Sequence, residues 1–332
     1  MEEVLREYQE LNGSHIEFIP NAPTALEFSR IVHISRPVHF AGASTLKWSD
    51  TYLVEMMGST PINVAITPDG FLADALVEGP DGQIYFVEPR TESMTMDSLL
   101  HSLHSPTGES GTTAICYLQS QNGNLYTPHR ARSEFNSLRG DVPKDVPWAT
   151  EAFGYSPDAV NLWIGNRQST TSIHCDPYEN IYAVVRGAKH FILFPPTEGY
   201  LLQERNYPRA VYTRPHPGAP LELTPIEVDE NSNEASMVSW ASADPTKPIR
   251  GTMPLRVTIR AGETSTCLLV CWWHHVTQSG DGPGGCGIVI AINWWYDMEM
   301  RGDKWVWLNA LRRVSQRGDW NAPHLSGTDT VV

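Results

Sequence analysis

The sequence predicts a mainly β fold with flanking helices: a double-stranded β-helix barrel carrying an N-terminal α/β extension and a C-terminal helix. Three observations predict it. From residue 114 the apolar residues recur with a period of two, in about eight short runs separated by turn residues, as in partly buried strands. Both ends of the chain show helical spacing instead. Finally, a His-x-Asp triplet at His174 and Asp176 precedes the pair His274-His275. An early and a late strand meet in this way when such a barrel closes.

The elements follow in order. Met1 to Leu11 has the apolar spacing of an amphipathic helix, Pro37 to Phe40 reads as a short strand, and "PINVAIT" (61–67) as a strand ended by the turn "PDG". Thr95 is placed to cap "MDSLLHSLH", in which Met96, Leu99, Leu100 and Leu103 share one face. His101 and His104 lie on that helix without a clustered partner, which favours packing or exposure over ligation. Strands are then predicted in "AICYLQSQ", "AVNLWIGN", "TSIHCD", "NIYAVV", "KHFILF", "LRVTIR", "CLLVCWWHHV" and "GIVIAINWWYD". "NIYAVVRGAKHFILFPP" has the form of a hairpin turning at Arg186-Gly187-Ala188. Residues 201–254, rich in Pro, Ser and acids, read as a surface insertion with little periodicity. In the last helix Trp305, Leu308, Leu311 and Val314 form an apolar face that needs a cover, either the barrel or a second subunit. The expected organisation is an α+β extension over 1–110, the barrel over 111–300, and a helix and tail over 301–332 as a dimerisation element.

Composition limits the partners. With 332 residues, 41% of them hydrophobic, the chain can bury a large core. A net charge of −14 argues against a nucleic-acid surface and suits a basic protein or peptide. The acidic start "MEEVLREYQELNG" and the lack of any apolar run of about 18 residues imply a soluble protein of the cytoplasm, with the nucleus as a second compartment. Cys116, Cys175, Cys267, Cys271 and Cys286 include no C-x-x-C pair, so neither a disulfide framework nor a zinc knuckle is indicated.

The chemistry lies in the triplet. Alternate residues of a strand point the same way, so His174 and Asp176 offer an imidazole and a carboxylate together, with Cys175 turned away. One more imidazole completes the two-histidine, one-carboxylate facial triad of non-haem iron oxygenases. It is available at "WWHH" (272–275), where strand parity leaves both His274 and His275 open.

With these motifs the chain resembles the JmjC-domain 2-oxoglutarate oxygenases of the cupin superfamily, and among them the lysyl hydroxylases. The matching blocks run in order through most of the chain: "VAITPDG" (64–70), "VPWATEAFGYSPDAVNLWIGN" (146–166), "TSIHCDPYENIYAVVRGAKHFILFPP" (171–196), "VTIRAGE" (257–263), "WWHHV" (272–276) and "INWWYDME" (292–299). The resemblance implies His174, Asp176 and His274 as iron ligands, leaving His275 a supporting or core residue. It implies Lys189 as partner of the distal carboxylate of 2-oxoglutarate, Thr171 and Tyr117 as donors to that carboxylate, and Asn180 and Asn293 near the chelating end. An inward lysine in a barrel is costly without such a partner. Three protein ligands leave three positions on iron, two for 2-oxoglutarate and one for O2.

The implied reaction is C3 hydroxylation of a protein lysine, on GTP-binding proteins of the developmentally regulated type. Histone N-methyl-lysine demethylation or histone-tail proteolysis is the alternative, and a non-catalytic cupin-fold binding protein is the alternative of another class. One segment departs from the family pattern. "AGETSTCLLVCWWHH" lacks the usual aromatic and proline before the distal histidine and runs one residue longer than the family pattern, which puts the register at His274 in question.

Overall fold

Eight strands, labelled β1 to β8 in chain order, build the barrel: β1 Ala159–Gly165, β2 Thr171–His174, β3 Tyr178–Arg186, β4 Ala188–Phe194, β5 Leu255–Arg260, β6 Glu263–Cys267, β7 Trp273–Ser279 and β8 Val289–Asp297. They belong to a computed structural model that describes residues 2–41, 46, 48–68, 74–104, 114–119, 123–127, 133–216, 218–226, 236–267, 272–299 and 301–316. One sheet runs β6-β3-β8-β1 and the facing sheet β5-β4-β7-β2, with every barrel pairing antiparallel. Successive strands from β1 to β8 thus change sheet at each connection except β4 to β5, which pair with each other, and this winding is the double-stranded β-helix.

The hairpin expected at Arg186-Gly187-Ala188 is therefore corrected. β3 pairs with β6 and β8, whereas β4 pairs with β5 and β7, so the chain crosses from one sheet to the other at this turn. A tight glycine corner serves either connection, and local sequence does not distinguish them. Gly187 has φ +74, and a Cβ there would come within 2.8 Å of the Ser279 carbonyl oxygen. The requirement is for glycine itself.

Burial explains why β3 and β8 read as long apolar runs. Tyr182 and Val184 point into the barrel against Phe191 and Leu193, while Ile181, Ala183 and Val185 face outward. That outer face is covered by helices 25–34, 50–57, 96–104 and 147–153, through Phe28, Leu53, Met57, Leu99, Leu100, Leu103 and Ala149. Each large side chain so buried contributes roughly 1.5–3 kcal/mol. Local signals start the helices at the right places. Thr24 and Glu27 form a capping box, and Thr95 accepts from the Ser98 N–H at 3.2 Å. The strands Glu17–Ile19 and Val38–Ala41 extend the first sheet beyond β6, so the N-terminal part and the barrel share a sheet.

The stretch 201–254 holds more order than its composition suggests. It contains strands Glu204–Thr213, Glu222–Pro225 and Met237–Ala241, which join Ile84–Glu88 and Ala75–Glu78 in a separate five-stranded sheet. Glu204–Thr213 pairs antiparallel with its neighbours in the chain, Glu222–Pro225 and Met237–Ala241, and only its parallel partner Ile84–Glu88, which ties it to the other part of the sheet, is distant in sequence. Residues 227–235, including "DENSNEA", lie outside the described residues.

The helix Gly302–Gln316 packs on the turn Pro196–Leu202 and the strand Glu204–Thr213, anchored by Arg312, which donates to the buried Glu204 carboxylate at 2.6 Å. Trp305, Val306 and Trp307 are 43%, 50% and 70% exposed. The barrel thus covers only part of the helix. Cys116, Cys175 and Cys286 are free thiols; Cys271 lies outside the described residues. Among the described residues no helix is long and apolar enough to cross a membrane.

Candidate metal centre

β2 ends at His174, and two residues later Asp176 sits on the turn into β3. β7 brings His274 directly opposite His174 in the ladder. The β7–β2 ladder has an irregularity between His274 and Val276, beyond this pair, whereas the ladder with β4 is unbroken. Pairing with β4 stays in step from Ala188↔Ser279 to Phe194↔Trp273, which sets His274 against Leu193 and His275 against Ile192. Residues 268–271 lie outside the described residues. Because successive side chains alternate, His274 turns to the barrel interior and His275 to the other face.

The donor atoms of His174, Asp176 and His274 lie within 4.8 Å of one another. Asp176 Oδ2 is 3.7 Å from the Nε2 of each histidine. Each ring is held from behind: His174 Nδ1–H donates to the Ser172 carbonyl at 2.9 Å, and His274 Nδ1–H to the Trp272 carbonyl at 3.3 Å. A carbonyl only accepts, so both Nε2 atoms carry lone pairs aimed at the common centre. Burial and the neighbouring His174 push His274 down to about 3, which keeps it a neutral donor. For His174 burial acts downward, but the Asp176 carboxylate outweighs it and the net movement is upward. Burial acts upward on Asp176, and the two histidines hold it below its ordinary value. Two imidazoles and one ionised carboxylate with convergent donors fit a divalent iron ion, which would take the place of the proton that Asp176 favours on His174.

The triad lines a pocket whose wall also includes Tyr117, Thr171, Asn180 and Asn293. Lys189 is 1% exposed, and its Nζ donates to the Tyr117 hydroxyl at 3.1 Å. No carboxylate among the described residues pairs with it. Burial lowers it to about 7. Burial also pushes the Tyr117 phenol up, against a hydrogen bond with Thr171. Lys189, Tyr117 and Thr171 thus form a connected group that is short of one anion, which the far carboxylate of 2-oxoglutarate would supply. Asn293 Nδ2 donates to Asn180 Oδ1 at 2.9 Å and its Oδ1 accepts from Trp163 Nε1 at 2.9 Å, so the two amides are fixed as a pair.

A cupin-like domain family matches residues 23–302. The protein is 35% identical to the lysine-specific demethylase JMJ32 of Arabidopsis thaliana, over 98% of this chain and 94% of that one. It is 37% identical to the human bifunctional peptidase and (3S)-lysyl hydroxylase JMJD7, over 86% of this chain and 84% of the relative. With the JmjC domain-containing protein E of Dictyostelium discoideum the identity is 30%, over 89% and 87%. The chain belongs to the JmjC cupin-like family.

Within this JmjC barrel the structure gathers the eight residues singled out from the sequence: His174, Asp176 and His274 at the centre, Lys189, Tyr117 and Thr171 as a hydrogen-bonded group, and Asn180 on β3 beside Asn293 on the neighbouring β8. It leaves out His275. It also adds residues that sequence reading missed. Trp240, from the stretch read as a surface insertion, stacks on His174 at 5.8 Å with the planes 4° apart and donates to Ser172 Oγ at 3.2 Å. Asp74 lies near both His174 and Asp176; burial raises its carboxyl to about 6, with His174 acting the other way. Neither residue carries a motif, since each reaches the centre from a different sheet.

Proposed function

We propose that this protein is an Fe(II)- and 2-oxoglutarate-dependent oxygenase that hydroxylates a protein lysine at C3. The observation that carries this reading is a His–Asp–His donor set in a pocket whose wall residue Tyr117 accepts a hydrogen bond from a buried lysine, Lys189, that lacks an acid partner among the described residues. A metal-binding scaffold needs the first and has no use for the second. Iron, 2-oxoglutarate and O2 together supply oxidation of an unactivated C–H bond, with succinate and CO2 as co-products. The chain's residues bind and orient. His174, Asp176 and His274 hold the metal, Lys189 with Tyr117 and Thr171 receives the distal carboxylate, and Asn180 and Asn293 bracket the chelating end. Trp163, Phe191 and Trp295 wall the pocket against water.

The names of the relatives support a lysine target, because the human protein is called a lysyl hydroxylase and the Arabidopsis protein a lysine-specific demethylase. GTP-binding proteins of the developmentally regulated type are the proposed substrates, on the family resemblance. Demethylation is the second reading, favoured by the Arabidopsis relative. The exposed Trp305, Val306 and Trp307 support a homodimer formed through the last helix.

The test is incubation with Fe(II), ascorbate, 2-oxoglutarate and lysine or methyl-lysine peptides, following succinate and peptide mass. A gain of one oxygen marks hydroxylation, loss of a methylene marks demethylation, and a shortened peptide marks proteolysis. Equal turnover in Asp176→Ala would overturn the metal assignment.

A further inference from the structure

Asp74 has no cationic partner once the centre is loaded. The residue precedes strand Ala75–Glu78 in a left-handed conformation, φ 53, and the Ser172 hydroxyl donates to its carbonyl oxygen. Ser172 in turn accepts from Trp240 Nε1 at 3.2 Å. These bonds fix Asp74 beside β2, two residues from the ligand His174. Its carboxylate accepts from Gln119 Nε2 at 3.2 Å, and Gln119 lines the pocket with His174 and Asp176. The charged groups that act on Asp74 are His174, Glu88 and Asp176, and no lysine or arginine among the described residues is one of them. Glu88 is paired with Arg209 at 2.8 Å. His174 becomes a neutral donor when it binds metal. A divalent ion then offsets Asp176 and the near carboxylate of the co-substrate, and Lys189 offsets the far one. Asp74 is the charge left over.

The same pocket presents an unmatched donor. Trp295 is 5% exposed, its indole N–H has no acceptor among the described residues, and its ring lies flat on Tyr178 at 4.9 Å with the planes 1° apart. An aminoalkyl side chain on a peptide answers each of these features: the ammonium meets the Gln119 amide, behind which the Asp74 carboxylate lies, the aliphatic stem meets the aromatic wall, and a peptide carbonyl meets the indole.

We infer that Asp74, presented through Gln119, is the specificity-determining residue that receives the ammonium group of the substrate lysine. This rests on the proposed oxygenase reading of the site and adds the residue that selects a cationic side chain.

The test compares two peptide pools with random flanks, one centred on lysine and the other on norleucine, binding to protein loaded with Fe(II) and 2-oxoglutarate without oxygen. Wild type is expected to bind the lysine pool at least ~10-fold more tightly, and Asp74→Asn to bring that ratio close to one. Asparagine tolerates the left-handed backbone, so the variant retains the local fold. Iron content and the thermal shift produced by 2-oxoglutarate confirm that it loads as wild type does. A wild-type protein without preference for lysine, or an Asp74→Asn protein that keeps the preference, would overturn the inference. Succinate formation by wild type reports separately on the oxygenase reading, so the two failures are distinguishable.

Discussion

Replacing Lys189 by methionine separates function from stability at a single position. The lysine is buried in the barrel, hydrogen-bonded among the described residues to Tyr117, and held at about 7 against an ordinary 10.5. That difference corresponds to roughly 4 kcal/mol of native-state penalty at neutral pH. Relaxation and water entry reduce it, so methionine, similar in length and unbranched, is expected to stabilise the ligand-free protein by about 1–3 kcal/mol. The native value lies below the unfolded one, so the penalty is complete below about pH 7 and fades as pH approaches the ordinary value. The advantage of the variant shrinks across that window. Co-substrate binding moves the other way: without a charged donor to the distal carboxylate, the KM for 2-oxoglutarate is expected to rise about 100-fold. Thermal melting with and without 2-oxoglutarate, together with succinate kinetics, reads both effects. A variant that melts lower than wild type without ligand and keeps its KM within about twofold would refute the anion-pocket argument.

Three further outcomes follow from the geometry. His274→Leu is expected to abolish iron retention, whereas His275→Leu keeps it, and metal analysis of the purified proteins distinguishes them. Since Lys189 must be protonated to pair with an anion, the KM for 2-oxoglutarate is expected to climb by up to about tenfold per pH unit above about pH 7; a flat KM over that range would contradict the shifted lysine. Trp307→Glu, at a position 70% exposed, is expected to convert a dimer into a monomer in sedimentation with little change in melting temperature, and an unchanged sedimentation coefficient would exclude the last helix as the interface.

Much of the fold was legible because its strands carry local period-two signals and its covering helices have caps. Met96, Leu99, Leu100 and Leu103 are all buried, as their spacing on one helix face required. The turn at Gly187 shows where local reading ends. A glycine corner looks alike whether the chain pairs with itself or crosses to the facing sheet, and only the partners of β3 and β4 decide. The place of the strand Glu204–Thr213 escaped for a related reason, since the parallel partner that ties it to the other part of its sheet, Ile84–Glu88, lies far away in sequence.

For the site, the sequence by itself determined the donor types. His174 and Asp176 needed only strand alternation to be read as a pair, and the resemblance supplied the third ligand and the lysine. Tertiary structure decided which of the two histidines faces His174 and Asp176: it is His274, because the facing of β7 is set by its ladder with β4 and not by its own residues. It alone brought Asp74 and Trp240 to the centre, since both arrive from outside the barrel strands. A short motif records what one strand presents. What surrounds that strand depends on contacts between segments far apart in the chain, and those contacts exist only once the sheets have closed.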